Sequence, residues 1–290
     1  MRAFLKIWAN HSAQFNELLY ICVQKNKTIG VIEQFYDSLI RSQIVMKKII
    51  DALKIGYYTF IFAFFPLVIS RVAQLYFMLF YKDGKERHQK WYHEKQAKYC
   101  HFFLCKSLPN VQVEIVNNHQ ESFERPAIII ANHQSMLDIP AVFMLHPRIV
   151  GMAKEALFRN RMFASMTKYK ELISNAAPIR TVVTYAKQKM GAGFSFLIFP
   201  EGTRSRDLTI QPFRDGAFFF AESLKCDIIP VTIWGTGKVL PVSGDTGSSP
   251  IVVEIGERKS YDGMNRKQMA EYWHNYFVER FDAISHRFKN

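Results

Sequence analysis

The sequence predicts an α/β fold: a mixed, largely parallel sheet flanked by helices, preceded by a membrane-associated helical pair. Three observations lead there. From about residue 110, short apolar runs alternate with helical patterns, which lays strands side by side and packs helices across them. The most apolar stretch of the chain, 55–81, lies just ahead of that region. The 290 residues are 49% apolar and 14% aromatic, enough to bury a large core and incompatible with chain-wide disorder.

Residues 1–45 carry apolar residues at roughly helical intervals, such as Leu18, Leu19, Cys22 and Val23, but no recognisable chemistry. They read as an extension or as residues ahead of an alternative start at Met46, which Lys47 and Lys48 follow. Met1 to Ala13 is too polar for the apolar core of a signal peptide. Residues 46–100 read as a membrane-associated helical segment. Within it, 55–81 would suffice in length for a span, since about 20 apolar residues are needed. Arg71 near its middle would cost about 2.5–3.5 kcal/mol at a bilayer centre, and Pro66 breaks helical hydrogen bonding. Two apolar helices dipping into one leaflet fit best; a tilted span and a buried soluble pair are the alternatives.

Net charge is +13, which draws polyanions, either nucleic acid or an anionic membrane surface. Lys82, Lys85, Arg87, Lys90, Lys95 and Lys98 crowd directly after the apolar stretch, as at a cytoplasmic membrane face. No zinc finger, helix-turn-helix or RNP pattern supports nucleic-acid binding. The four cysteines, Cys22, Cys100, Cys105 and Cys226, are too few for a disulfide scaffold, and the Cys100/Cys105 spacing has no second pair to complete a zinc site. They read as reduced packing residues.

Residues 101–290 form the α/β domain. Candidate strands are 111–116, 127–132, 148–152, 176–179, 195–199, 228–234 and 251–255. Helical patterns fall near 138–145, 155–169, 181–190, 214–225 and 264–287, and 243–250 reads as a loop.

Two blocks carry chemistry. Asn132-His133-Gln134-Ser135-Met136-Leu137-Asp138 follows an apolar run, placing His133 where a buried strand ends, the end at which open α/β sheets hold ligands. His133 and Asp138 can meet if a turn separates them. The carboxylate would then fix the imidazole tautomer, leaving the other ring nitrogen to take a hydroxyl proton. Phe199-Pro200-Glu201-Gly202-Thr203-Arg204-Ser205 follows another strand. Gly202 permits a tight turn with exposed N–H groups, and Arg204 offers a planar fork for phosphate. Two further blocks, Pro178-Ile179-Arg180 and Ile228-Ile229-Pro230-Val231, read alone as scaffolding; Pro230 suggests a sheet edge or a bend. Gly193 to Leu197 lacks the last glycine of a nucleophile elbow, and Gly235-Thr236-Gly237-Lys238 lacks the spacing of a P-loop.

In order and spacing these four blocks resemble the 1-acylglycerol-3-phosphate acyltransferase family, over roughly residues 55–260. The first block matches N-H-x4-D, the third matches F-P-E-G-T-R-S without change, and the second keeps only its Arg. The resemblance implies a membrane enzyme with its catalytic domain, residues 101–290, facing the cytoplasm. His133, oriented by Asp138, would deprotonate the free hydroxyl of lysophosphatidic acid for attack on the thioester of acyl-CoA or an acyl-carrier protein, giving phosphatidic acid. Glu201, Gly202, Thr203 and Arg204 would hold the acceptor phosphate, with Arg180 nearby and Lys154 contributing. Membrane lipids are the expected surroundings, with no nucleic-acid partner and no metal or bound cofactor. The altered second block leaves another lysophospholipid or an amino-acid lipid as the alternative acceptor.

Overall fold

The computed structural model describes residues 29–160, 164–260 and 262–288. The features expected within residues 1–28, Cys22 included, lie outside the described residues. The chain divides into two compact units, at Leu53/Lys54.

In the first unit the described residues belong to the helix Ile29–Phe64, on which Ile44, Val45, Met46, Ile49, Ile50 and Leu53 are exposed. That helix passes into a π-helical turn, Phe65–Ile69, and then into the helix Ser70–Phe80. The stretch 55–81, expected as two helices, is therefore one uninterrupted helical run. The π turn starts one residue ahead of Pro66 and accommodates the missing N–H without ending the helix. The run Tyr36–Phe80 is long and apolar enough to cross a membrane and is a candidate membrane segment. Val72, Leu75, Met78, Leu79 and Phe80 on it are exposed.

The partner of Ser70–Phe80 is the helix Gly84–Phe102, which buries Gly84, His88, Tyr92, Gln96 and Cys100 at a spacing of four. His88 Nε2 donates to the Ser70 carbonyl at 3.0 Å, and Phe65 stacks on Trp91 and Tyr99. The six basic residues picked out in the sequence all face outward from this turn and helix.

Among the described residues the sheet has seven strands: β1 Val113–Val116, β2 Ile128–Ala131, β3 Ile149–Ala153, β4 Ile173–Ser174, β5 Ser195–Ile198, β6 Ile228–Trp234 and β7 Ile251–Ile255. Their order is β1-β7-β6-β2-β5-β3-β4. The five strands from β6 to β4 run parallel; β1 and β7 run parallel to each other and against the rest. The expected mixed, largely parallel sheet is what forms. β2 and β5 are buried at every position, as central strands covered on both faces must be. Ile129 and Ala131 point into one core, shared with Phe103, Leu104 and Phe143. Ile128 and Ile130 point into the other, shared with Val182, Phe220, Trp273 and Phe277.

Two expectations need correction. Residues 176–179 are not a strand. The short strand is Ile173–Ser174, and Pro178 stands as N-cap of the helix Ile179–Gly191, where a residue without an N–H costs nothing. Pro230 is not at an edge, since β6 lies between β2 and β7. Its carbonyl accepts from Gly256 N at 2.9 Å, so its own nitrogen faces the β7 side, where strand pairing starts only at Val231. Only the reciprocal bond to the Gly256 carbonyl, at the end of the β6–β7 ladder, is forgone, and the proline is accommodated in an interior strand.

Candidate active site

The site lies at the carboxyl ends of the central parallel strands. β2 delivers Asn132 and His133, and the adjoining β5 delivers the 199–205 loop. On β2's other side, β6 delivers Thr236. This is the crevice an open α/β sheet leaves for ligands.

Asp138 opens the helix Asp138–Phe143, so the five-residue spacing from His133 wraps one turn and brings the side chains together. His133 Nδ1 lies 2.9 Å from Asp138 Oδ2. That oxygen also accepts the backbone N–H groups of Gln134 at 2.6 Å and Ser135 at 2.7 Å. An oxygen already serving two donors takes a third readily only as a carboxylate, so Nδ1 carries the proton and Nε2 is left as the base. Asp138 is fully buried, whereas the His133 side chain keeps 14% of its surface. The imidazole stacks on Phe199, centroids 4.2 Å apart.

The backbone of His133 is held as closely as its ring. Its N–H donates to Glu201 Oε1 at 2.6 Å, and its carbonyl accepts from Ser205 N at 2.8 Å. Both partners belong to the 199–205 block, which thereby clamps the residue it faces. Asn132, fully buried, reaches sideways to β6: its Nδ2 donates to the Ile233 carbonyl at 2.8 Å, and its Oδ1 accepts from Ile233 N at 2.7 Å. The amide imitates a backbone and continues the β2–β6 ladder one residue past the last pair.

Glu201 does not face the crevice. It is 2% exposed, and its second oxygen accepts from Gln211 N at 3.1 Å. Burial pushes its carboxyl up to about 8, against the pull of the two N–H donors. Gly202 and Thr203 are exposed and Arg204 half-buried on the same loop. Gly202 takes the left-handed conformation (φ 70°), and a Cβ there would come within 2.9 Å of Arg214 Nε. Lys154 ends β3 as N-cap of the helix Glu155–Arg159, and Arg180 is the second residue of the helix after β4; both are exposed. At about 4.8 Å per strand, the end of β3, which Lys154 follows, stands roughly 10 Å along the sheet from the end of β2, and Arg180 lies further on, on the helix after β4. His133, Asp138 and the 201–204 loop are thus brought together, while the other two cations flank them.

Beside this group opens a cavity of about 250 Å³, lined chiefly by Ile55, Tyr58, Phe62, Phe103, Met136 and Leu137, with Arg204 as its one charged residue. A second cavity, about 520 Å³, lies at the opposite, amino ends of the strands; its wall includes His93 and Glu171, which pair with each other, and Arg148 and Glu124, which do the same.

The contributions of Asn132 and Ser205 as clamps were hidden inside blocks quoted for other reasons. Thr236, whose hydroxyl meets Asp138 Oδ1, gave no signal beyond standing in a rejected P-loop pattern. Cys100, Cys105 and Cys226 are free, and burial pushes the Cys100 thiol up to about 12.

Fold and site together define an α/β protein with a His–Asp dyad set against a cationic loop and an apolar cavity. The family model described as Acyltransferase matches residues 110–234. The chain is 28% identical to the 1-acyl-sn-glycerol-3-phosphate acyltransferase of Saccharomyces cerevisiae over 207 residues, 65% of this chain and 64% of that one. It is 30% identical to the enzyme of the same name from Chlamydomonas reinhardtii over 141 residues, covering 47% and 42%. A crystal structure of the 1-acyl-sn-glycerophosphate (LPA) acyltransferase PlsC from Thermotoga maritima shares the fold: TM-score 0.67, 23% identity, 80% of this chain and 96% of that chain covered. The chain is similar to these acyltransferases, with the family-model match confined to residues 110–234. It spans about half the length of the curated relatives it matches first.

Proposed function

We propose that this protein transfers a fatty-acyl group from a thioester, acyl-CoA or acyl-carrier protein, to the free hydroxyl of 1-acylglycerol-3-phosphate, forming phosphatidic acid. The observation that carries the reading is the dyad: a partly exposed imidazole whose Nδ1 is committed to a buried carboxylate, beside a cationic loop and an apolar cavity. The names of the matched relatives support the acceptor.

In this reading His133 Nε2 takes the hydroxyl proton as the oxygen attacks the thioester carbonyl. The tetrahedral intermediate collapses, the C–S bond breaks, and the thiolate leaves and takes up a proton, which His133 can return. Asp138 holds the tautomer and balances the transient imidazolium. Arg204 and the exposed N–H of Thr203, presented by the turn at Gly202, hold the acceptor phosphate, with Lys154 and Arg180 adding positive field. Glu201 braces the loop from beneath. The apolar cavity accepts acyl chain, and the segment Tyr36–Phe80 keeps the domain at the membrane, on the cytoplasmic side where the basic helix face meets anionic lipid. The chemistry so written uses the thioester as co-substrate and no other cofactor.

The test is an acceptor panel: washed membranes containing the protein, labelled acyl-CoA and acyl-carrier-protein donors, and a set of lysophospholipids plus an amino-acid lipid. Lysophosphatidic acid should rank first. If it ranks last, the proposed acceptor is wrong, and the departure at Asn175 to Arg180 marks where specificity changed.

A further inference from the structure

The segment Gly235-Thr236-Gly237-Lys238, which fails as a phosphate loop, returns at the end of β6 with a different part to play. Gly235 turns the chain in the left-handed conformation (φ 90°), and a Cβ there would meet the Pro250 carbonyl oxygen at 1.9 Å. Only glycine makes this turn, and the turn aims the next side chain inward. Thr236 Oγ1 donates to Asp138 Oδ1 at 2.5 Å. Both residues are fully buried. Oδ2 of the same carboxylate serves three donors, whereas the Thr236 hydroxyl is the one donor that Oδ1 has among the described residues.

A threonine in a short helix has an easier outlet, since its hydroxyl can bond a carbonyl of its own turn. Here it bridges two strand ends instead, tying the turn after β6 to the carboxylate that holds the imidazole after β2. The bond is short because its acceptor is charged. Without it Oδ1 would be a buried, unpaired carboxylate oxygen. The group would then gain freedom to rotate and carry the imidazole with it.

We propose that Thr236 is a positioning residue of the catalytic dyad: it sets the rotation of the Asp138 carboxylate and thereby the aim of His133 Nε2. It is too buried to touch substrate and acts through Asp138. The proposal rests on the reading that the dyad performs acyl transfer.

Two readouts test it on the full-length protein. In the first, kcat and KM are measured for Thr236→Val, which keeps the shape and removes the hydroxyl, and for Thr236→Ser, which keeps the hydroxyl. Valine should lower kcat by about 10- to 100-fold with KM changed less than about twofold, and serine should stay near wild type. In the second, the downfield proton resonance of His133 Nδ1–H, assigned by its loss in His133→Ala, should broaden or shift in the valine variant and persist in the serine variant. This second readout needs no turnover. If the wild type transfers acyl groups to no acceptor, the functional reading fails while the resonance still judges Thr236. Should the valine variant not fold, Thr236→Ala is compared with Thr236→Ser, which it differs from by one oxygen. A hydroxyl-free variant with wild-type kcat and an unchanged resonance, or one whose defect lies in KM alone, overturns the proposal.

Discussion

His133 is held at four points, three of them supplied by the 199–205 block: N–H to Glu201, carbonyl to Ser205, ring face to Phe199, and Nδ1 to Asp138. Such over-determination keeps a base aimed, and it makes the residues behind the histidine testable. Glu201→Gln should weaken transfer, because its amide cannot accept from both His133 N and Gln211 N. The same variant tests a pH effect. Burial raises the folded-state pKa of Glu201 from 4.5 to about 8. The folded state therefore holds the proton more tightly than the unfolded chain. The stability this contributes is full below about pH 4.5 and is lost as pH rises toward 8. Urea titrations across that window should show a falling contribution in the wild type and a shallower slope in Glu201→Gln; equal slopes would contradict the assignment. Asn132→Ala should cost about 1–3 kcal/mol, since both polar groups of Ile233 lose partners in a dry interior, and urea unfolding would show it.

At the scale of elements, the helical run Tyr36–Phe80 presents exposed apolar side chains: Leu75, Leu79 and Phe80 are each more than half exposed. Exposed apolar area on this scale is worth burying in lipid, at about 25 cal/mol per Å². Replacing these three with serine should shift the protein from the membrane pellet toward the supernatant on ultracentrifugation at low salt. Unchanged sedimentation would remove this helix as the anchor. Elements were also where sequence reading succeeded unevenly. β2, β5, β6 and β7 were legible because interior strands are almost wholly apolar, broken only by single residues such as Thr232 and Glu254. The strand Ile173–Ser174 was not, because two residues carry no period, and the neighbouring Ala176-Ala177-Pro178 looked more apolar than it is extended. Pro66 pointed to two helices because sequence shows the lost N–H but not the π turn that accommodates it.

At the scale of the molecule, the parallel block β6-β2-β5-β3-β4 sends every functional loop to one end of the sheet, and that topology makes neighbours of residues 68 to 101 positions apart in sequence. The dyad was legible because His133, Asp138 and the intact 199–205 block are sequence-local. Thr236 was not, since nothing in a lone threonine predicts that a strand crossing will set it 2.5 Å from a carboxylate 98 residues away. Sequence placed Glu201 among the phosphate ligands because a motif shows proximity, not which way a side chain turns.

The measurement that bears most directly on the whole account is acyl transfer from labelled acyl-CoA to lysophosphatidic acid, by membranes carrying the wild type beside membranes carrying His133→Ala at matched protein levels. The account predicts robust transfer by the wild type and a loss of about 10²–10⁴-fold in the variant, the usual worth of a general base. Equal activity in the two preparations would contradict it.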